Sequence, residues 1–153
     1  RGTTTTRTAM RMGLIPSYRT GDMGAHILII EDDPASRELV KYLLESAGHS
    51  TLLANEGATG VRMAIDDSPD LLICDLQMPV MNGYQVVETL REYPLWRKVP
   101  IIAVTAFSMP GDRDRALTAG FDEHISKPIA PQHFVSQIEA FLPAGLRSHR
   151  ERP

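Results

Sequence analysis

The chain of 153 residues contains a single cysteine, so no disulfide bond can form within it. That residue, Cys74, lies in an apolar segment, which is typical of a buried, reduced thiol in the cytosol. Long apolar runs are also missing, since the longest cover only four residues. A helix that spans a membrane needs about 18. We therefore expect a cytoplasmic protein that does not cross a membrane.

Basic residues are sparse outside the first 24 positions. These positions hold four arginines and one acid, which leaves 12 basic and 18 acidic residues in the remainder of the chain. A nucleic-acid surface needs clustered Lys and Arg to replace the counterions of the phosphates. The acidic balance of the remainder therefore argues against a nucleic-acid partner.

The length of the chain suits one domain. Residues 1–24 lack apolar periodicity, which predicts a disordered tail or a cloning remnant without a function of its own. We assign the domain to residues 25–143. Residues 144–153 are too few for an output domain and are expected to form a short C-terminal tail.

Short apolar runs alternate with helical patterns five times along the domain. The predicted strands cover 26–31, 51–54, 70–74, 100–104 and 123–126. The first helix is expected to begin at Pro34, after the N-cap residue Asp33, and to end at Gly48. Strands that alternate with helices imply right-handed crossovers and a parallel sheet. The sequence therefore predicts a doubly wound α/β fold with five parallel strands and five helices.

Polar residues follow four of the predicted strands. They are Glu31, Asp32 and Asp33 after the first strand, Asp75 after the third, Thr105 after the fourth, and Lys127 after the fifth. In an open α/β sheet, ligands bind beyond the carboxyl ends of the strands. Carboxylates this close would repel one another unless a cation lay among them, and Mg²⁺ prefers oxygen ligands. A metal ion, a lysine and a hydroxyl around one carboxylate indicate phosphoryl transfer to Asp75.

The segments ILIIEDDP, LLICDLQMPVMNG, IIAVTA and ISKPI stand in an order and at spacings that resemble the receiver domain of two-component response regulators. The resemblance covers residues 25–143 and implies a flavodoxin-like sheet with the strand order 2-1-3-4-5. It also implies a signalling switch that takes a phosphoryl group from a sensor histidine kinase or a histidine phosphotransfer protein and then alters the binding of an output partner. Such a domain is not an enzyme in the metabolic sense, because it catalyses only its own phosphorylation and dephosphorylation.

The resemblance assigns the acceptor and the metal ligands residue by residue. Asp75 would be the phosphoacceptor, and Glu31 with Asp32 would be the acidic pair that holds Mg²⁺. Asp75 and the backbone carbonyl of Gln77 would complete the ligands from the protein. Asp33 falls one place outside the pair, which agrees with its separate interpretation as a helix cap.

The remaining roles fall on the last two strands. By the same resemblance, Thr105 would bind a phosphoryl oxygen and signal the change, and Lys127 would pair with the phosphoryl group. The peptide bond between Lys127 and Pro128 would be cis. His124 stands at a switch position that the family usually fills with Tyr or Phe. By the same resemblance, Phe107 and Gln77 would flank the path of the hydrolytic water, so we expect a long-lived aspartyl phosphate.

The other histidines give no sign of a second site. His26, His49 and His133 are interpreted as surface or strand-end residues, and no pair of histidines has the spacing of metal ligands.

Three alternatives stay open from the residues. The chain could be a receiver domain from a hybrid histidine kinase or a larger regulator, although no glycine-rich remnant of an ATP-binding domain is seen. A phosphatase of the haloacid dehalogenase type would need an Asp where Gln77 stands. A flavodoxin would need a phosphate loop after the first strand, where Glu31 and Asp32 would repel the cofactor. For a receiver domain, the resemblance also allows a homodimer through helix four, strand five and helix five.

Overall fold

A parallel sheet of five strands lies at the centre of the structure, a computed structural model that describes residues 24–106 and 108–148. The strands are β1 (His26–Ile30), β2 (Ser50–Ala54), β3 (Leu71–Asp75), β4 (Ile101–Thr105) and β5 (Glu123–Ser126). Their order in the sheet is β2-β1-β3-β4-β5, and every neighbouring pair is parallel. The predicted fold class and strand order are thereby confirmed.

Five α-helices connect and follow the strands. They are α1 (Pro34–Ser46), α2 (Gly57–Asp67), α3 (Gly83–Leu90), α4 (Asp112–Ala119) and α5 (Pro131–Glu139). Helix α1 begins where the sequence predicts, because the carboxylate of Asp33 accepts a hydrogen bond from the backbone N–H of Ser36. Asn82 and Gln85 form a capping box that sets the start of α3 immediately after the loop that follows β3.

Two hydrophobic clusters cover the two faces of the sheet. One contains residues of α2, α3 and α4, and the other contains residues of α1 and α5. Successive residues of the central strands belong to opposite clusters: Leu28, Ile30, Leu72 and Cys74 to the first, and Ile27, Ile29, Leu71 and Ile73 to the second. Because β1 and β3 are buried on both faces, their apolar runs are continuous rather than alternating.

The register of the sheet brings the carboxyl ends of the strands level with one another. Ile30 of β1 is opposite Cys74 of β3, so the next residue of each strand lies at the same edge. Asp75 is in turn opposite Val104 of β4. The acids that follow β1 and end β3 are therefore neighbours because these strands are adjacent in space, not because they are close in sequence.

At the opposite edge of the sheet, His49 lies immediately before β2, in agreement with its interpretation as a surface or strand-end residue. It is not at the surface, because only 4% of the residue is exposed. Its ring lies 2.7 Å from the carboxylate of Glu139, whose oxygen also accepts the backbone N–H of Ser148. Residues 144–148, assigned from the sequence to the C-terminal tail, thus contact the domain, with a 3₁₀ turn at Ala144–Leu146.

None of the helices in the described ranges has the length and apolar character needed to cross a membrane.

Gly83 begins α3 where the helix passes closest to the end of β3. A Cβ atom at this position would lie 2.5 Å from the carbonyl oxygen of Asp75 and 2.9 Å from the Cα atom of Leu76. Because these are backbone atoms that cannot turn aside, we expect Gly83→Ala to lower the free energy of unfolding by about 1–3 kcal/mol. Urea denaturation followed by the fluorescence of Trp96 would measure the loss. Gly145→Ala is the matched control, since a Cβ there meets nothing within 4 Å; equal losses in the two variants would contradict the steric explanation.

Candidate functional site

Three carboxylates meet at the carboxyl edge of the sheet. Glu31 and Asp32 follow β1, Asp75 ends β3, and one oxygen atom of each lies within 4.8 Å of the others. Glu31 and Asp75 are almost completely buried, at 5% and 6% exposure. The structure therefore brings together the three acids that the sequence places at the ends of two separate strands.

The ammonium group of Lys127 lies against this acidic cluster. Lys127 Nζ donates a hydrogen bond of 2.8 Å to Glu31 Oε1 and lies 3.5 Å from the hydroxyl oxygen of Ser36. The backbone N–H of Lys127 donates to the carbonyl oxygen of Thr105, which attaches the loop after β5 to the end of β4. The Lys127–Pro128 peptide bond is cis, as the resemblance implies.

The loop between β1 and α1 holds Glu31 from two sides. The backbone N–H of Asp33 donates to Glu31 Oε2 at 3.0 Å, and Arg37 Nη1 donates to the backbone carbonyl of Glu31 at 2.8 Å. The sequence does not predict that Arg37 holds the backbone of Glu31, because an arginine in the first turn of a helix is usually solvated. Arg37 therefore joins the site as a residue that positions the acidic pair.

The electrostatics of the cluster favour a proton or a cation. Burial and the negative charge of Glu31 raise the pKa of Asp75 to about 7, although Lys127 and a hydrogen bond from the Gln77 N–H act in the opposite direction. One lysine cannot balance three carboxylates. The donors are all oxygen atoms, and they fit a hard divalent cation such as Mg²⁺.

The remaining residues predicted for the site lie around this cluster. Thr105 is fully buried at the end of β4. Gln77 follows β3 by two positions and donates its backbone N–H to Asp75 Oδ1. Val80 lies in the same loop, fully exposed and with a φ of 68°, a backbone conformation that β-branched residues rarely adopt. Phe107 lies outside the described residues.

His124 is half-buried on the edge strand β5, on the side that faces α4. Its Nε2 atom is buried and has no hydrogen-bond partner among the described residues. The carboxylate of Glu123 accepts both the backbone N–H of His124 and the Nε–H of Arg113, which connects β5 to α4. Burial raises the pKa of Glu123, but the hydrogen bonds from Arg113 and His124 outweigh that effect, so the pKa is lowered overall. A charged pair therefore flanks a ring whose own buried nitrogen is unsatisfied.

The sequence profile of the response regulator receiver domain matches residues 27–139. Among characterised relatives, the polar-differentiation response regulator DivK of Brucella ovis is 34% identical over 120 residues, which cover 78% of this chain and 98% of the relative. The chain therefore belongs to the response regulator receiver domains of two-component signalling.

Solved structures agree with this assignment. The receiver domain of a sensor histidine kinase from Pseudomonas aeruginosa, with a magnesium ion coordinated in its active-site cleft, is 31% identical, with a TM-score of 0.71 over 77% of this chain and 97% of that one. The receiver domain of a histidine kinase from Syntrophus aciditrophicus is 36% identical, with a TM-score of 0.71 over 78% of this chain and 90% of that one.

The raised pKa of Asp75 predicts how the stability of the metal-free protein changes with pH. The folded state binds this proton more tightly than the unfolded chain, whose carboxyl has its ordinary value of 3.8. The resulting stabilisation is complete below that value and is lost as the pH rises through about 7. Relative to the parent, Asp75→Asn should therefore gain about 2 kcal/mol in the free energy of unfolding between about pH 5 and pH 8. Denaturation in EDTA at both pH values would measure it.

Asp33→Asn is the control for this measurement. The pKa of Asp33 is lowered by its hydrogen bonds with Ser36, so its titration lies below the range tested. The difference between Asp33→Asn and the parent should therefore stay constant. If Asp75→Asn also differed from the parent by a constant amount, the repulsion inferred for the acidic cluster would be absent.

Proposed function

We propose that the domain is a phosphorylation-dependent switch in which Asp75 accepts a phosphoryl group from a histidine kinase or a histidine phosphotransfer protein. The observation that carries the proposal is the position of Asp75 within 4.8 Å of two further carboxylates, beside the ammonium group of Lys127. A nucleophilic carboxylate, a place for a divalent cation and a mobile point charge are the parts that phosphoryl transfer requires.

The acidic cluster supplies the ligands for the metal in this proposal. Glu31, Asp32 and Asp75 would hold Mg²⁺, together with the backbone carbonyl of Gln77. When bound, the ion would offset the charge on the oxygens of the phosphoryl group. It would also favour the ionised form of Asp75, which is the nucleophilic form.

The transfer itself uses three side chains of the chain. One oxygen of Asp75 forms a bond to phosphorus as the bond from phosphorus to the donor's imidazole nitrogen breaks, and the electron pair of that bond returns to the imidazole. Lys127 moves its ammonium group from Glu31 to a phosphoryl oxygen. The hydroxyl of Thr105 donates a hydrogen bond to another. The exchange at Lys127 is required because its resting partner is Glu31.

The role proposed is regulatory, and the only reactions assigned to the domain are its own phosphorylation and dephosphorylation. Gln77 stands where a phosphatase of the haloacid dehalogenase type would carry its general acid, so turnover of external phosphate esters is not expected. The alternative of a receiver domain within a hybrid kinase keeps its support, because solved receiver domains of histidine kinases are among the similar structures. The output partner, or a second copy of the chain, would meet the surface of α4, β5 and α5.

Phosphorylation is predicted to need both Asp75 and a divalent cation. Incubation with acetyl phosphate should add one phosphate to the parent in Mg²⁺ and none in EDTA, because the carboxylate is the nucleophile and the metal offsets the developing charge. Intact-mass spectrometry would measure the addition. Undiminished labelling of Asp75→Asn, or labelling that maps to another residue, would exclude the proposed acceptor.

Two neighbouring acids provide a matched pair for the metal. Asp32 belongs to the acidic cluster, whereas Asp33 caps α1. We expect Asp32→Ala to reduce both Mg²⁺ binding and labelling by about tenfold or more, and Asp33→Ala to leave both within about twofold of the parent. Equal losses in the two variants would show that the acidic pair is placed wrongly.

The last prediction for this site concerns His124 as the residue that transmits the change. Its buried Nε2 has no hydrogen-bond partner among the described residues. His124→Ala should weaken the change in amide exchange of β5 on phosphorylation, and His124→Tyr should keep it without any pH dependence between about 6 and 8. Hydrogen exchange with and without acetyl phosphate would measure this. The same change in Ala, Tyr and the parent would make His124 a bystander.

A further inference from the structure

A buried histidine and a buried glutamate meet at the amino-terminal edge of the sheet, opposite the acidic cluster. Nε2 of His49 lies 2.7 Å from Oε2 of Glu139, and the two side chains are 0% and 4% exposed. The backbone N–H of Ala25 donates to Nδ1 of His49 at 2.9 Å, and that of Ser148 donates to the same Glu139 oxygen at 2.7 Å. Four parts of the chain are thus joined: the start of β1, the turn before β2, the end of α5 and residue 148.

The hydrogen bonds of this group fix the protonation of the ring. A backbone N–H can only donate, so Nδ1 of His49 carries a lone pair and the proton of the neutral imidazole is on Nε2. That proton is donated to Glu139, which as a carboxylate can only accept. In this state both ring nitrogens of His49 and the bonded oxygen of Glu139 are satisfied.

A second proton on His49 has no acceptor. It would sit on Nδ1 and face the N–H of Ala25, so that two donors would meet inside a buried site. The chain has no space to turn aside, because residue 24 lies directly on the turn before His49. A Cβ at Gly24 would be 2.2 Å from the carbonyl oxygen of Gly48. Protonation of His49 must therefore displace the segment that leads into β1.

The other charged groups near this edge do not provide an alternative partner for the ring. They are hydrogen-bonded elsewhere: Glu45 of α1 to Thr51, Asp70 to the backbone of His26, the His26 ring to Ser50, and Arg147 to the carbonyl oxygen of Leu142. Glu139 of α5 is thus the charged group that faces His49, and it keeps its hydrogen bond to Nε2–H in either protonation state of the ring. Protonation removes the contact with Ala25 specifically.

We propose that His49 and Glu139 form an acid-sensitive latch, which fastens residues 24–25 and residue 148 to the same point of the domain and opens when His49 is protonated. At neutral pH the latch holds both segments beside each other on the edge opposite Asp75. On acidification the bond to Ala25 is lost, while Glu139 keeps its hydrogen bonds to the ring and to the N–H of Ser148. The position of the segment that leads into β1 then depends on one proton.

Amide exchange followed by NMR on the full chain tests the latch. After correction for intrinsic rates, the protection of Ala25 should fall by about tenfold or more between about pH 7.5 and pH 5.5, while that of Ser148 and of the core strands is unchanged. In His49→Gln, which keeps a donor for Glu139 but does not titrate, this pH step should disappear. His133→Gln is the matched control, because this exposed histidine of α5 lies outside the latch, and it should keep the step.

Two results would overturn the proposal: equal protection of the parent at both pH values, or a step that persists in His49→Gln. If His49→Gln does not fold, the imidazole of the parent decides the question. Nitrogen chemical shifts should show the Nε2–H tautomer at neutral pH and a titration that coincides with the loss of protection at Ala25. The Nδ1–H tautomer, or a titration without any change at Ala25, would exclude the latch. Labelling by acetyl phosphate at neutral pH should be the same in His49→Gln and the parent.

Discussion

The burial and mutual repulsion of carboxylates at one edge of the sheet form the constraint around which the site is arranged. Glu31, Asp32 and Asp75 lie together because β1 and β3 are adjacent, and one lysine lies against them. Burial withdraws the water that would otherwise screen these charges, and the result is the raised pKa of Asp75. Keeping Asp75 ionised therefore costs free energy in the folded state, and a divalent cation bound among the acids would remove that cost. The raised pKa and the proposed metal binding thus both follow from the same cluster of acids.

Other parts of the fold serve to keep these charges in place. Helix α3 can begin close to the end of β3 only because Gly83 has no side chain, and the capping box of Asn82 and Gln85 fixes that start. On the other side, Arg37 and the N–H of Asp33 hold the loop that carries Glu31. The elements before and after the acids therefore hold them in place.

Much of this arrangement could be read from the sequence, and the reasons are physical. Continuous apolar runs indicate strands buried on both faces, and Asp33 followed by Pro34 indicates a capped helix, because both signals are local. The edge at which the acids meet follows from the topology of parallel sheets. The strand boundaries differ by about one residue, and β3 extends to Asp75 because that residue still pairs with Val104.

The contacts that could not be predicted from the sequence are those between side chains and groups that are distant along the chain. The burial of His49 could not be predicted, because nothing near it in sequence indicates Glu139, 90 positions away. Arg91 is similar: its guanidinium group bonds to the carbonyl oxygens of Trp96, Val99 and Gly120 and to the carboxylate of Asp122. The pairing of Lys127 with Glu31 in the resting domain also depends on the positions of two separate loops, one after β1 and one after β5.

Because the acids are far apart along the chain, the metal site can form only after the domain has folded. Asp32 and Asp75 are 43 positions apart, and they become neighbours only after β1 and β3 have paired. A divalent cation that needs both would bind the folded chain alone and would stabilise it by mass action. An incompletely folded copy would lack the ion and the environment that activates the carboxylate. The proposed phosphorylation would therefore be restricted to completely folded molecules.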